Sequence, residues 1–157
     1  MELRQDPTTR AWILSGKESE KEDVKDTRCP FCRGNEDLTP KTIRALYNQK
    51  GEWIVMSFPD KSPIFQIEGN LDRQADGMFD KMRNIGAHEV IVEAPGHTTS
   101  LTSLSENVIA DVLKMYRERV SDLKKDRRFK YILVFKNHGS LAGSLIEHIH
   151  SHIIGIP

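Results

Sequence analysis

The 157-residue chain has only two cysteines, both in Cys29-Pro30-Phe31-Cys32. That argues against a disulfide framework and makes a reducing, cytoplasmic compartment the expectation. No stretch approaches the roughly 20 apolar residues of a membrane span. The opening residues, MELRQDPTTR, are polar, so neither a membrane partner nor a secretory signal is expected. Charge of one sign is not in excess, since 23 Lys and Arg stand against 23 Asp and Glu. Binding along a nucleic-acid backbone needs clustered positive charge, so no nucleic-acid partner is expected. A small phosphate ligand needs only a few donors and stays open. Internal repeats and low-complexity tracts are also missing.

What is present is an ordinary globular composition, 38% hydrophobic and 29% charged, at a length that suits one domain over residues 1–157. Ala11 to Leu14 reads as a short strand after the turn-like Asp6-Pro7-Thr8-Thr9. Residues 16–28 are almost wholly polar and read as a loop. A short helix is expected over 40–48 and a strand over 53–58 (WIVMSF). Pro59 and Pro63 force an extended path, and residues 66–84, polar with two glycines, are expected as a long loop. HEVIVE, residues 88–93, reads as a strand stopped by Pro95-Gly96. Ser103 with Glu106 resembles a capping box. Behind it Val108, Val112, Met115, Tyr116 and Leu123 fall at helical spacing and predict an amphipathic helix over 105–125. The strongest strand is 129–135 (FKYILVF), and a last strand runs over 148–154. Strands with one long helix imply an α+β fold around an antiparallel sheet.

Three of the six histidines stand at His148, His150 and His152. In a strand, alternate residues share a face, so three imidazoles line one surface about 6–7 Å apart. Imidazole has an unperturbed pKa of about 6.5, which leaves it mostly neutral near pH 7. A neutral imidazole attacks phosphorus without a separate base, and the resulting phosphoramidate passes its phosphoryl group onward. Alternating histidines equally suit a metal. The preceding stretch, Phe135 to Glu147, reads as strand and then glycine-bearing loop. Its glycines let backbone amides approach an anion. CPFC admits a redox or a zinc reading. Redox needs a buried strand before the pair and a helix starting at it, and neither KEDVKDTR upstream nor RGNED downstream fits. Zinc needs two further ligands, which must be histidines.

His148-Ile149-His150-Ser151-His152-Ile153-Ile154 matches the histidine-triad pattern, and the stretch 135–154 resembles the amino-terminal half of galactose-1-phosphate uridylyltransferase and its relatives. Residues 6–13 (DPTTRAWI) resemble that family's opening strand, CPFC its zinc knuckle, and Phe58-Pro59-Asp60-Lys61-Ser62-Pro63 its nucleotide-edge loop. The resemblance implies a histidine-triad-like fold with structural zinc held by Cys29, Cys32, His97 and His148, with His88 a rival for the third ligand and His138 facing solvent. It implies a nucleotidyltransferase in galactose metabolism, acting on a nucleotide-sugar and a sugar 1-phosphate. His150 would be the nucleophile, with Ser151, His152 and Asn137 on phosphoryl oxygens. Ser144, Lys136, Arg4 and Arg10 are candidate phosphate contacts, and Asp60 a ribose contact. Trp12, Phe58 and Phe65 either flank the base or belong to the core.

The sequence departs from the family at three places. His152 stands where transferases usually carry glutamine, a habit of the hydrolytic triad branch and of some dinucleotide phosphorylases. Leu145 stands where many relatives have a phosphate-touching serine, with Ser144 one position earlier. The chain reaches Pro157 without the second half of the transferases, so it is expected either as part of a longer protein or as a homodimer joined at an exposed sheet edge. A histidine-triad hydrolase or dinucleotide phosphorylase is therefore one alternative. A non-catalytic, zinc-stabilised nucleotide-binding or interaction domain is the other.

Overall fold

The computed structural model describes residues 1–16, 27–98 and 100–157; most of the polar stretch read as a loop, residues 17–26, lies outside them. Among the described residues β1 (Glu2–Gln5), β2 (Trp12–Ser15), β5 (Gln74–Asp76) and β6 (Phe79–Arg83) form one antiparallel sheet in the order β2-β1-β6-β5. A second antiparallel sheet has the order β3-β4-β7-β9-β8. Its strands are β3 (Arg44–Tyr47), β4 (Trp53–Pro59), β7 (Ala87–Val92), β8 (Tyr131–Phe135) and β9 (His150–Ile156). One helix, α1 (Glu106–Leu123), packs on this second sheet. The architecture is α+β, as expected. Among the described residues no helix is long and apolar enough to cross a membrane.

Period-2 alternation decides what each face of the larger sheet carries. Val55, Ala87, Ile91 and Ile153 face α1 and meet Val112, Met115 and Leu123 in one buried cluster. Apart from the small Ala87, each of these side chains stabilises the fold by about 1.5–3 kcal/mol on burial. Glu89 is on this same face, where Arg119 of α1 grips it through Nε and Nη2, both at 2.8 Å. Ser57 Oγ donates to Glu89 as well, at 3.1 Å. The opposite face carries Phe58, Val90 and Val92 with Phe31 of the knuckle, and it is also the face of the histidines.

Four expectations are corrected. Residues 40–48 hold β3 rather than a helix: Leu46 pairs with Val55 and is buried against α1, so sheet pairing overrides the helix propensity of Arg44, Ala45 and Leu46. Residues 66–84 are not one loop, because β5 and β6 form a hairpin whose turn includes Gly77 at φ +65°, a conformation glycine adopts freely. The helix starts after Ser105, not at a Ser103 box. Ser103 ends a short 3₁₀ turn, and its hydroxyl donates to the Ser100 carbonyl at 2.7 Å. His148 also falls just ahead of β9 rather than inside it.

Candidate functional site

β9 is central in its sheet, between β7 and β8, and its register sets the site. His150 is opposite Val92, and His152 opposite Val90 on one side and Phe135 on the other. Both imidazoles stand on the face away from α1. Ser151 stands on the face toward it, only 1% exposed. Its hydroxyl donates to Glu93 Oε1 at 2.5 Å and is 2.7 Å from the Tyr116 hydroxyl. The expectation of Ser151 as a phosphoryl ligand is therefore corrected: a one-residue step along a strand reverses the face.

His150 is only 7% exposed. Its Nδ1 is 2.7 Å from the His148 carbonyl oxygen. A carbonyl only accepts, so Nδ1 carries the proton and Nε2 keeps its lone pair. Burial pushes the His150 pKa below the usual imidazole value, outweighing that carbonyl contact, so the ring is held neutral. The Phe31 ring meets His150 edge-on at 5.0 Å between centroids. A cavity of about 300 Å³ opens beside His150, with Asn137, Gly139, Ser144 and Lys136 in its wall. Gly139 has φ +79° and ψ 161°, a region essentially reserved for glycine, so a side chain there would disturb the cavity loop.

The structure sorts the other candidates. Asn137 and Ser144 share the cavity with His150. Lys136 also lines it, but its ammonium donates to Glu93 Oε2 at 2.6 Å and to the His150 carbonyl at 2.5 Å, so it braces the strand from beneath. Arg4 is exposed in β1 and paired with Glu2. Arg10 is in the β1–β2 turn at φ +62°, outside the cavity wall. Asp60 is near His88 and His152, with Oδ2 at 3.4 and 3.5 Å from their rings. Burial opposes its ionisation, yet those imidazoles and the Ser62 amide outweigh burial and hold its carboxyl below the usual range. Phe58 and Phe65 are core, whereas Trp12 is 38% exposed. Spacing gave no sign of Glu93, Tyr116 or the stacking of Phe135 on His152, at 5.2 Å and 17°. The one available signal was an acidic residue at 89 and 93 on the same face of an otherwise apolar strand.

Cys29, Cys32, His97 and His148 converge, their ligand atoms all within 4.8 Å of one another, and form a group that could bind a metal. His148 Nδ1 is 3.5 Å from Cys29 Sγ and 3.6 Å from Cys32 Sγ, and His97 Nδ1 is 3.6 Å from Cys32 Sγ. His148 Nε2 is 2.9 Å from the Ala94 carbonyl, so it holds the proton and Nδ1 presents a lone pair to the sulfurs. An imidazole oriented through its far nitrogen is the usual supporting arrangement for a metal ligand. Burial and the adjacent Cys29 sulfur push the Cys32 thiol up, a cost that a bound cation relieves. His88 is not part of this group. It joins Asp60 and His152 instead.

Residues 4–155 match the family model described as galactose-1-phosphate uridyl transferase, N-terminal domain. A curated relative, the ADP-glucose phosphorylase of Arabidopsis thaliana, is 27% identical over 99% of this chain and 48% of its own length. A solved uridylyltransferase structure superposes with TM-score 0.76 at 26% identity, over 100% of this chain and 46% of its own. A histidine triad nucleotide-binding protein from Candida albicans, at 19% identity, TM-score 0.54 and 83% and 76% coverage, shares the fold. The chain spans about half the length of the curated relatives it matches. With its fold histidine-triad-like and its sequence matched from Arg4 to Gly155, the chain belongs to the galactose-1-phosphate uridyl transferase family, as that family's N-terminal domain.

Proposed function

We propose that this domain transfers nucleotidyl groups from a nucleotide-sugar through a covalent intermediate on His150. The observation that carries the reading is the 2.7 Å contact between His150 Nδ1 and the His148 carbonyl, which leaves Nε2 as the nucleophilic nitrogen of a ring at the cavity wall. The Nε2 lone pair forms a P–N bond to the α-phosphorus. The P–O bond to the β-phosphate breaks, and sugar 1-phosphate leaves with the electron pair. A phosphate oxygen of an acceptor then attacks the same phosphorus, and Nε2 recovers its lone pair. Asn137 and Ser144 in the cavity wall, with His152 beside His150, are the candidate donors to the phosphoryl oxygens as charge builds. Asp60 and Arg10 are off that wall, and Asp60 keeps its proposed role at the ribose edge.

The four-ligand group suits zinc. Tetrahedral bonds of about 2.3 Å to sulfur and 2.0–2.1 Å to nitrogen place S and N about 3.5–3.6 Å apart, in line with the 3.5 and 3.6 Å separations here. Four protein ligands leave no open position, so the ion would supply anchorage rather than catalysis. A reducing, cytoplasmic compartment suits such thiolates. A homodimer would use one of the sheet's two edge strands, β3 or β8, where Tyr47 and Tyr131 are exposed.

His152 supports a second reading, in which water or inorganic phosphate discharges the intermediate. The two separate when the metal-loaded protein is given UDP-glucose or ADP-glucose together with galactose 1-phosphate, with inorganic phosphate, or with neither. Nucleotide passed to the sugar phosphate supports the transferase. Nucleoside diphosphate formed only with phosphate supports the phosphorylase. Nucleoside monophosphate formed with neither acceptor supports the hydrolase. No turnover of either donor overturns both readings.

A further inference from the structure

Outside the four-ligand group, the structure places a second cluster of chemistry-bearing side chains at the end of the histidine face, namely His88, His152 and Asp60. In the sheet register His152 is opposite Val90, so His88, two residues back on β7, is its diagonal neighbour on the same face. The ring nitrogens His88 Nε2 and His152 Nδ1 approach to 3.1 Å. Only one proton can occupy that gap, and a third contact says which nitrogen holds it. The backbone N–H of Ile64 donates to His88 Nδ1 at 3.3 Å. His88 Nδ1 is therefore an acceptor, and its proton is on Nε2. His152 Nδ1 then accepts from His88, and the remaining proton of a neutral His152 must be on Nε2.

We infer that His88 is a positioning residue that fixes the tautomer of His152, so that His152 presents an Nε2–H donor beside the nucleophile. This deepens the reading above and rests on it for what the donor is used for. An amide N–H and an Nε2–H imidazole are both neutral donors, so the inferred tautomer lets histidine do here what glutamine does at the matching position. Without His88 the imidazole could equally present a lone pair to the phosphoryl oxygens and repel them. The surroundings hold the arrangement. Phe135 stacks on the His152 ring, and His150 and His152 have centroids 5.1 Å apart. The Asp60 amide donates to the His88 carbonyl at 2.9 Å, so the loop that carries Ile64 wraps His88. Asp60 Oδ2 is 3.4 Å from His88 Nε2 and 3.5 Å from His152 Nδ1, so it does not choose between the two nitrogens, and the Ile64 contact is what assigns the proton. The Ile64 contact also argues against a cation in this cluster. A metal on His88 Nε2 would need the proton on Nδ1, where the Ile64 N–H already points.

The test has one readout independent of activity. Long-range proton–nitrogen correlation spectra of histidine-labelled, metal-loaded protein are expected to show His152 protonated at Nε2 and not at Nδ1. The opposite tautomer overturns the inference, as does a second metal per chain whose binding shifts the His88 and His152 ring signals. Wild type that forms no nucleotidyl adduct defeats the transferase reading alone, and the spectra still decide the tautomer. In kinetics, His88→Phe is expected to slow adduct formation on the order of a hundredfold, as for loss of one directed donor, with little change in donor Kd. In a His152→Gln background, where the amide needs no tautomer set, the same substitution is expected to change nothing further. An equal loss in both backgrounds makes His88 merely structural and overturns the inference.

Discussion

His150 Nδ1 and the carbonyl oxygen of His148 are 2.7 Å apart, and this contact joins the group of four candidate metal ligands to the His150 imidazole. His148 aims its own Nδ1 at two cysteine sulfurs while its backbone oxygen fixes the tautomer of His150. Disturbing the first residue therefore disturbs the second, although their side chains serve different ends.

That coupling predicts a joint loss. Cys32→Ser is expected to lower bound zinc well below one per chain. It is also expected to destabilise the fold by several kcal/mol, because structural metal binding adds directly to folding free energy. Adduct formation should fall with metal content even though His150 is intact. Metal analysis, thermal unfolding and adduct yield on the same preparation check this. Full adduct yield in a zinc-free variant contradicts the coupling.

Stability should decline as pH falls below about 6.5. Burial lowers the pKa of both His88 and His150, with Asp60 only partly opposing it at His88. The unfolded imidazoles therefore take up protons first, and a state that binds more protons gains as pH falls. The stabilisation is present above the unfolded pKa and is lost between that value and the lowered folded ones. Thermal unfolding at a series of pH values should show the midpoint falling through this window. His150→Gln and His88→Gln should each flatten the dependence.

The Glu89–Arg119 pair pins α1 to β7 from within the core, with side-chain exposures of 6% and 9%. Removing one member leaves the other buried and uncompensated, a loss of about 3–5 kcal/mol. Arg119→Met should show this in denaturant unfolding, while a double replacement by apolar residues should recover part of it. An Arg119→Met variant as stable as wild type contradicts the role.

His152→Gln bears on the acceptor. Of the two donors at this position, the amide is the one transferases usually carry. The variant is expected to pass a larger share of nucleotide to a sugar phosphate and less to water or inorganic phosphate, as measured by product ratio. An unchanged ratio removes His152 from the choice of acceptor.

The central helix, the strand over 53–58 and the HEVIVE strand were legible because their apolar periodicity is strong. The four cysteine and histidine ligand candidates were legible through resemblance, and the structure brings them together. β3 was not, because its residues favour a helix locally and only pairing with β4 makes them a strand. β5 and β6 were not, because they are short and polar, with Met82 the one residue buried. Ser151 was misread because the resemblance was given more weight than the strand alternation, which already sets residue 151 on the face opposite His150. The His88–His152 contact depends on sheet register between strands 64 residues apart, which no local pattern encodes.

Intact-mass measurement at neutral to alkaline pH, after incubation with UDP-glucose and separately with ADP-glucose, should show a nucleoside monophosphate adduct in the wild type and none in His150→Ala. The donor that labels reveals the base. An adduct that survives in His150→Ala, or full turnover by that variant, would contradict the assignment of His150 as nucleophile.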